Sequence, residues 1–310
     1  MDKTTRGVLF VMLASSLWAI DAVFRTQLTF TIPTTYIVMI EHAIGFLFLS
    51  PFLIKDFKSV RSLTGKNWAV LLSMTVVSSV LGTLLFTEAL ARSFAEFDFV
   101  TPLLLQKLQP LFVILLSALF LKEKITPTFL LLAGCAIVGS YLISFGFQPI
   151  QFELIGKELV VALALGASLA WGGGTILSKH ALKHISFPTL AALRFLLAVP
   201  VAFLFSLILG QSYDLRAIEI IQWGRFLIIA GVTGGAFAIF WYYRGLAHIP
   251  ARLSTIAELM FPVVSVGIAV TSLNPYGEAQ VLTVAQIAGI VILIGSILAI
   301  SFSKKEKDII

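Results

Sequence analysis

The chain has 310 residues, 58% of them hydrophobic and only 12% charged, with a mean hydropathy of +0.99. A soluble domain carries roughly a quarter charged residues, so this chain lacks the polar surface to cover a water-soluble globule. A cytosolic enzyme, a disordered chain, a disulfide-rich secreted module and a coiled coil are excluded, and an all-α polytopic membrane protein is left.

A helix crosses about 30 Å of hydrocarbon with about 20 apolar residues, and the apolar runs predict ten such helices. The first, about 7–25, carries Trp18 and Asp21. Its opening, with Lys3 and Arg6 before an apolar run, imitates a signal peptide but lacks a clear small-x-small site, so it is read as a retained helix. The second, about 34–54, holds Glu41 and His42, and the third, about 67–90, ends at Ala89-Leu90. The fourth, about 96–121, contains Gln106, Lys107 and Pro110, and only residues 92–96 divide it from the third. The fifth, about 127–147, holds the lone Cys135, which has no Cys or His partner at metal spacing. The sixth, about 157–178, contains Trp171, and the seventh, about 187–210, contains Arg194. The eighth, about 222–246, carries Trp241-Tyr242-Tyr243, which crosses all faces, so one member is expected to point inward. The ninth, about 251–272, holds Glu258 and Pro262, and the tenth, about 281–303, precedes a tail, 304–310. No connection is long enough for a soluble domain, so any chemistry sits within the membrane.

Positive charge sets orientation. With the N-terminus cytoplasmic, fourteen basic residues fall on the inner side, among them Arg252, against five outside: Arg25, Arg92, Lys157, Arg216 and Arg225. This bias predicts both ends inside. It also explains the pI of about 9.5 as topology, with no nucleic acid implied.

The chain repeats itself at about 153–156 residues. Trp18 matches Trp171, Pro33 matches Pro188, Trp68 matches Trp223, and Ala89 matches Gly245. Pro110 then matches Pro262, Glu123 matches Glu278, and Gly134 matches Gly289. Residues 7–147 and 157–303 therefore read as two units of five helices each. Five is odd, so the second unit enters from the opposite side. Two such units make an inverted-topology repeat, whose solute site lies near the midplane between them.

These features together resemble an EamA-type member of the drug/metabolite transporter superfamily: the early Trp18 and Trp171, Ala89-Leu90 and Gly245-Leu246 closing the third helices, and a Pro in each fourth helix. Leu121-Lys122-Glu123 and the run 289–295 add to it. The resemblance covers nearly the whole chain and implies a secondary carrier. Family repeats often place an acid directly before the fourth-helix Pro, where Gln109 and Phe261 stand here. An Arg is usual in the second helix: Arg194 fits, and Glu41 takes the matching place in the first unit.

An ionisable side chain at the bilayer centre costs about 2.5–3.5 kcal/mol on insertion scales, so each is a functional candidate. Lys107 falls near the midplane. It reads as a solute-carboxylate contact or a proton-exchanging group, or else as the partner of an acid such as Glu41 that pins two helices. Gln106 and Glu258 each lie four residues before the fourth-helix proline, on the proline's face. The proline frees a backbone carbonyl there. Glu258 is the candidate for solute-amine binding or proton coupling, its alternative being a salt bridge to Arg194 or Arg244. Glu41 and His42 are further proton-coupling candidates. Asp21, Glu41, Glu88 and Asp98 fall in the expected outer half and Arg194 and Arg244 in the inner half, a gradient that suits export of an anionic or zwitterionic solute.

Trp18 and Trp171 lie away from the helix ends and are candidates to wall the apolar part of a solute. His180 and His184 share a helical face without a third ligand, so no metal site is expected. No phosphate-binding loop or metalloprotease motif occurs, and no cofactor is implied. The expectation is a multi-pass carrier in a prokaryotic inner membrane. It would move a small amino-acid-like, zwitterionic or anionic metabolite by alternating access, with Trp18, Glu41, Gln106, Lys107, Trp171, Arg194 and Glu258 at the solute. The partners are the solute and the lipid bilayer, and the sequence carries no signal for oligomeric state. The competing readings are an intramembrane lipid-modifying enzyme and a channel or sensor.

Overall fold

The computed structural model describes residues 2–95, 105–148, 158–274 and 278–303, which form helices and no strand. We label them α1 (Lys3–Thr29), α2 (Thr34–Lys55), α3 (Gly65–Ala89), α4 (Gln109–Leu121), α5 (Pro127–Phe145), α6 (Glu158–Ala181), α7 (Phe187–Ile208), α8 (Ile220–His248), α9 (Ala251–Ala269) and α10 (Val284–Phe302). Among the described residues nine are long and apolar enough to cross a membrane. The other, α4, is shorter, and the start expected for it, 96–104 with Asp98, lies outside the described residues.

The fifth helix of each unit starts where its sequence supplies a cap. The Thr126 hydroxyl accepts from the Phe129 N–H at 3.0 Å to open α5. At the matching place in the second unit, Thr283 accepts from the Gln286 N–H at 3.2 Å, and the Gln286 side chain accepts from the Thr283 N–H at 2.9 Å, opening α10. Large apolar side chains such as Leu47, Phe120, Leu131 and Val291 are exposed on the outside, as a lipid-facing surface requires, while Leu71, Phe129, Phe195 and Leu293 fill the core.

The units interlock by exchange. Helix α1 packs on α8 and on the second part of α9, and α6 packs on α3 and α4 in the reciprocal arrangement. The second helices, α2 and α7, pair, as do the fifth helices, α5 and α10. Matched helices run antiparallel. Thr35, at the start of α2, donates to Gln211 beyond the end of α7 at 2.5 Å. At the other end of α2, Asp56 accepts from Ser186 and Thr189 at the start of α7, at 3.2 and 2.7 Å. In α5 and α10 a Cβ on Gly139 would sit 2.8 Å from the Gly289 carbonyl oxygen, and one on Gly289 would sit 2.9 Å from the Ile143 nitrogen. The contacts of Gly139 with Leu293 and of Gly289 with Ile143 are those of helices crossing in opposite directions.

Both third helices contain a π-helical stretch, Thr75–Leu81 in α3 and Ile229–Thr233 in α8. Such widened turns shift the face a helix presents and recur at functional sites. Both fourth helices are interrupted. Gln106 is helical, a turn covers Lys107 and Leu108, and α4 follows; α9 turns at Glu258 and Leu259 between Ala251–Ala257 and Met260–Ala269.

Two basic residues lie elsewhere than expected. Helix α1 continues to Thr29, so Arg25 is part of the bundle and not of an outer connection. Arg252 is in the first turn of α9, 1% exposed, with its guanidinium 4.7 Å from the Phe129 ring centre. Hydropathy places a cation outside the apolar run beside it; Glu41 on α2 and Phe129 on α5 are among the partners that hold these two inside.

Candidate functional site

The two interruptions meet at Glu258. One carboxylate oxygen accepts from the Tyr242 hydroxyl at 3.0 Å and from Ser254 at 3.1 Å. The other accepts from the Gln109 amide at 3.2 Å, so a side chain of α4 in the first unit reaches the acid of the second. Pro262 provides no N–H for the Glu258 carbonyl four residues back. That carbonyl accepts instead from the Phe261 N–H at 3.1 Å and from the Ser15 hydroxyl on α1. In the first unit Ser168 on α6, the repeat counterpart of Ser15, donates to the Leu105 carbonyl at 2.9 Å. The first helix of each unit thus supports the broken fourth helix of the other, an arrangement that lets irregular backbone exist at membrane depth.

Aromatic pairs on the first and third helices follow the same repeat symmetry. Trp18 lies 5.2 Å from Tyr242 between ring centres, and Trp171 lies 5.3 Å from Phe86. The polar groups break the symmetry: Tyr242 and Glu258 in one unit stand where Phe86 and Gln106 stand in the other. Tyr242 and Ser254 are buried behind the acid, whereas Glu258, Gln109, Gln106, Lys107 and Trp18 are half-buried. Lys107 lies 5.0 Å from the centre of the Phe261 ring, a cation–π contact. Among the described residues no acid ion-pairs with Lys107 and no base with Glu258.

The remaining candidates lie in other clusters. Arg25 bridges Asp21 at 2.5 Å and Glu41 at 2.7 Å, and Thr233 of the π-helical stretch donates to Asp21 at 3.2 Å. Glu41 thus pairs with Arg25 on α1 and not with Lys107. His42 contacts the Val38 carbonyl at 2.8 Å and packs on Phe195 at 4.6 Å. Arg194 donates to the Tyr243 hydroxyl at 2.9 Å and makes no salt bridge to Glu258. Arg244 lies over the Phe10 and Trp241 rings. Glu88 pairs with Arg92 at 2.8 Å, both about half exposed.

Two regions of the sequence, residues 5–145 and 158–302, match the EamA-like transporter family. The chain belongs to that family. It is 33% identical over 304 residues to the riboflavin transporter ImpX of Fusobacterium nucleatum subsp. nucleatum, covering 97% of this chain and 99% of that one. It is 26% identical over 310 residues to the pseudopaline exporter CntI of Pseudomonas aeruginosa, covering 98% and 99%. A solved crystal structure superposes with a TM-score of 0.76 at 16% identity over 98% of each chain, a likeness of fold. The protein is thus an integral multi-pass membrane protein and a small-molecule transporter, as its relatives' names indicate, and not an enzyme.

Within this EamA-like fold, several site residues escape a reading of the sequence. Gln109 stands in the position where the family often has an acid, and its amide bridges the units. Tyr242 and Tyr243 are both buried, against the expectation of a single inward residue; one faces Glu258 and the other faces Arg194 and Ser178. Adjacent positions differ by about 100° around a helix, and α8 is wrapped by neighbours on both of those sides. Arg25 carries a weak sequence signal, its i, i+4 spacing from Asp21.

Proposed function

We propose that the chain is a secondary carrier moving a small planar heteroaromatic solute of the riboflavin class by alternating access, with both termini cytoplasmic. The two five-helix units rock about the broken fourth helices, and the solute sits between the Trp18–Tyr242 and Trp171–Phe86 pairs with a polar edge toward Glu258. The observation that carries this reading is the half-buried Glu258 and Gln109, from opposite units, meeting beside an aromatic pair. Stacking on flat aromatic faces suits a flat solute, and the similarity to a riboflavin transporter along nearly the whole length of both chains supports the same class.

A second reading is outward movement of an amino-acid-like zwitterion, coupled to protons through Glu258 or Glu41. It is favoured by the opposite charges of Glu258 and Lys107 at the two broken fourth helices, and by the similarity to a pseudopaline exporter. Counterflow in proteoliposomes loaded with riboflavin or with a panel of amino acids separates the two. Saturable riboflavin exchange, reduced at least about tenfold by Glu258→Gln, supports the first. Exchange of amino acids alone, lost in Lys107→Met and dependent on a pH gradient, supports the second. Current through single open pores would end both.

A further inference from the structure

Glu258 presents its two oxygens unequally. Tyr242 and Ser254, both buried, hold the first from behind. The second has only the Gln109 amide, which comes from the other unit on a half-buried side chain. All three neighbours donate, so the carboxylate acts purely as an acceptor. A solute arriving at the second oxygen therefore needs an N–H or O–H. Gln109 loses its acceptor when the solute takes it, and its amide then requires a carbonyl close by. One molecular edge meets both demands: a ring N–H flanked by a ring carbonyl.

Charge narrows the class. Lys107, over the Phe261 ring, has no acid partner among the described residues. A cationic amine entering here adds a second cation beside Lys107 in a medium where each charge is costly. An anionic edge at Glu258 meets the carboxylate. A neutral donor edge incurs neither penalty. Trp18, 5.2 Å from Tyr242 between ring centres and tilted to it, adds an aromatic face beside the acid.

We propose that the Glu258–Gln109 pair recognises the cyclic imide edge of a planar heteroaromatic solute. The imide N–H is donated to the Glu258 oxygen that Gln109 now holds, and an adjacent carbonyl accepts from the Gln109 amide. Breaking the Gln109–Glu258 bond to bind the solute removes one of the links between the two units, at their broken fourth helices, and ties occupancy to rocking. This deepens the planar-solute reading and rests on it.

The test uses the full-length protein in nanodiscs, with flavin fluorescence as the binding signal. Riboflavin is compared with N3-methylriboflavin, which keeps the ring system and loses the imide proton. The wild type is expected to bind riboflavin at least about tenfold more tightly than the methylated compound, the cost of leaving buried polar groups unmatched. Glu258→Gln and Gln109→Leu should each weaken riboflavin binding and narrow that ratio, with folding checked by monodispersity and thermal unfolding. Equal binding of the two flavins to the wild type overturns the imide assignment and leaves the planar-solute reading standing. Binding of neither flavin overturns both.

Discussion

Arg25 holds two carboxylates together inside the bundle, with Asp21 and Glu41 side chains 8% and 6% exposed. Removing one member of such a group leaves an uncompensated buried charge, which costs about 3–5 kcal/mol. Arg25→Met should lower the thermal unfolding midpoint in detergent sharply. Adding Glu41→Gln to that variant should recover part of the loss, because one of the two stranded carboxylates is then neutral. A midpoint in Arg25→Met equal to the wild type would show that the cluster is solvated and carries no such weight. Glu258 differs in kind: its partners are neutral donors and it is half-buried, so it suits reversible binding where the Arg25 group suits rigidity.

At the level of elements, the turn between α8 and α9 is held by side chains from elsewhere in the chain. Lys122 adopts a left-handed backbone, φ 56°, which ends α4 and brings Glu123 to the start of α9. Pro250 occupies the cap position of α9 and has no side-chain acceptor. Glu123 supplies it, accepting from the Ala251 and Arg252 N–H groups at 2.7 and 3.1 Å. Lys179 on α6 caps the end of α8, donating to the Leu246 and Ile249 carbonyls at 2.7 Å each. Glu123→Ala should destabilise by about 1–2 kcal/mol, the value of a lost cap, read as a lower midpoint in thermal unfolding. Ala251→Pro removes one of the two accepted N–H groups at a position where Pro suits a helix start and should cost less.

The end of α2 meets the start of α7 at Asp56, which lies outside the spanning segments. Hydrogen bonds from Ser59 first, then Thr189, with a smaller part from Ser186, hold its carboxyl below the ordinary value of 3.8. A depressed folded-state pKa contributes stability above the unfolded value that is lost as pH falls through the folded one. The stability gap between wild type and Thr189→Val should therefore be full at neutral pH and shrink below pH of about 4. A gap that stays constant from pH 7 to pH 3 would mean that the Thr189 contact is indifferent to the charge on Asp56.

For the whole molecule, the antiparallel pairing of α2 with α7 and α5 with α10 gives the two units opposite directions, and in the proposed topology of ten crossings both ends lie on one side. Moving Arg25 and Arg252 into the bundle removes one basic residue from each side of the charge count and leaves the bias intact. Reporters fused to the N-terminus and after Phe302 should both report the cytoplasm, and one fused between α5 and α6 should report the outside. Opposite readings from the two ends would require an odd number of crossings and dismantle the inverted repeat.

The spans were legible in the sequence because the cost of apolar and polar groups in lipid is local: each stretch of about 20 residues is sorted on its own composition. Helix ends were legible to within a few residues for a related reason, since caps such as Thr126 and Thr283 act over three or four positions. The repeat was legible because duplication leaves residue types in register, and Trp18, Trp171, Pro110 and Pro262 occupy corresponding places in the three-dimensional structure. Partnership was not legible. Which carboxylate meets Arg25, which amide meets Glu258, and what caps α9 all join segments 16 to 149 residues apart. Hydrogen bonds and ion pairs between side chains act over about 3 Å, and chain order carries no information at that range until the helices are packed. The packing also decided that Tyr242 and Tyr243 both turn inward, because the burial of a helix face depends on how many neighbours surround it and not on its own periodicity.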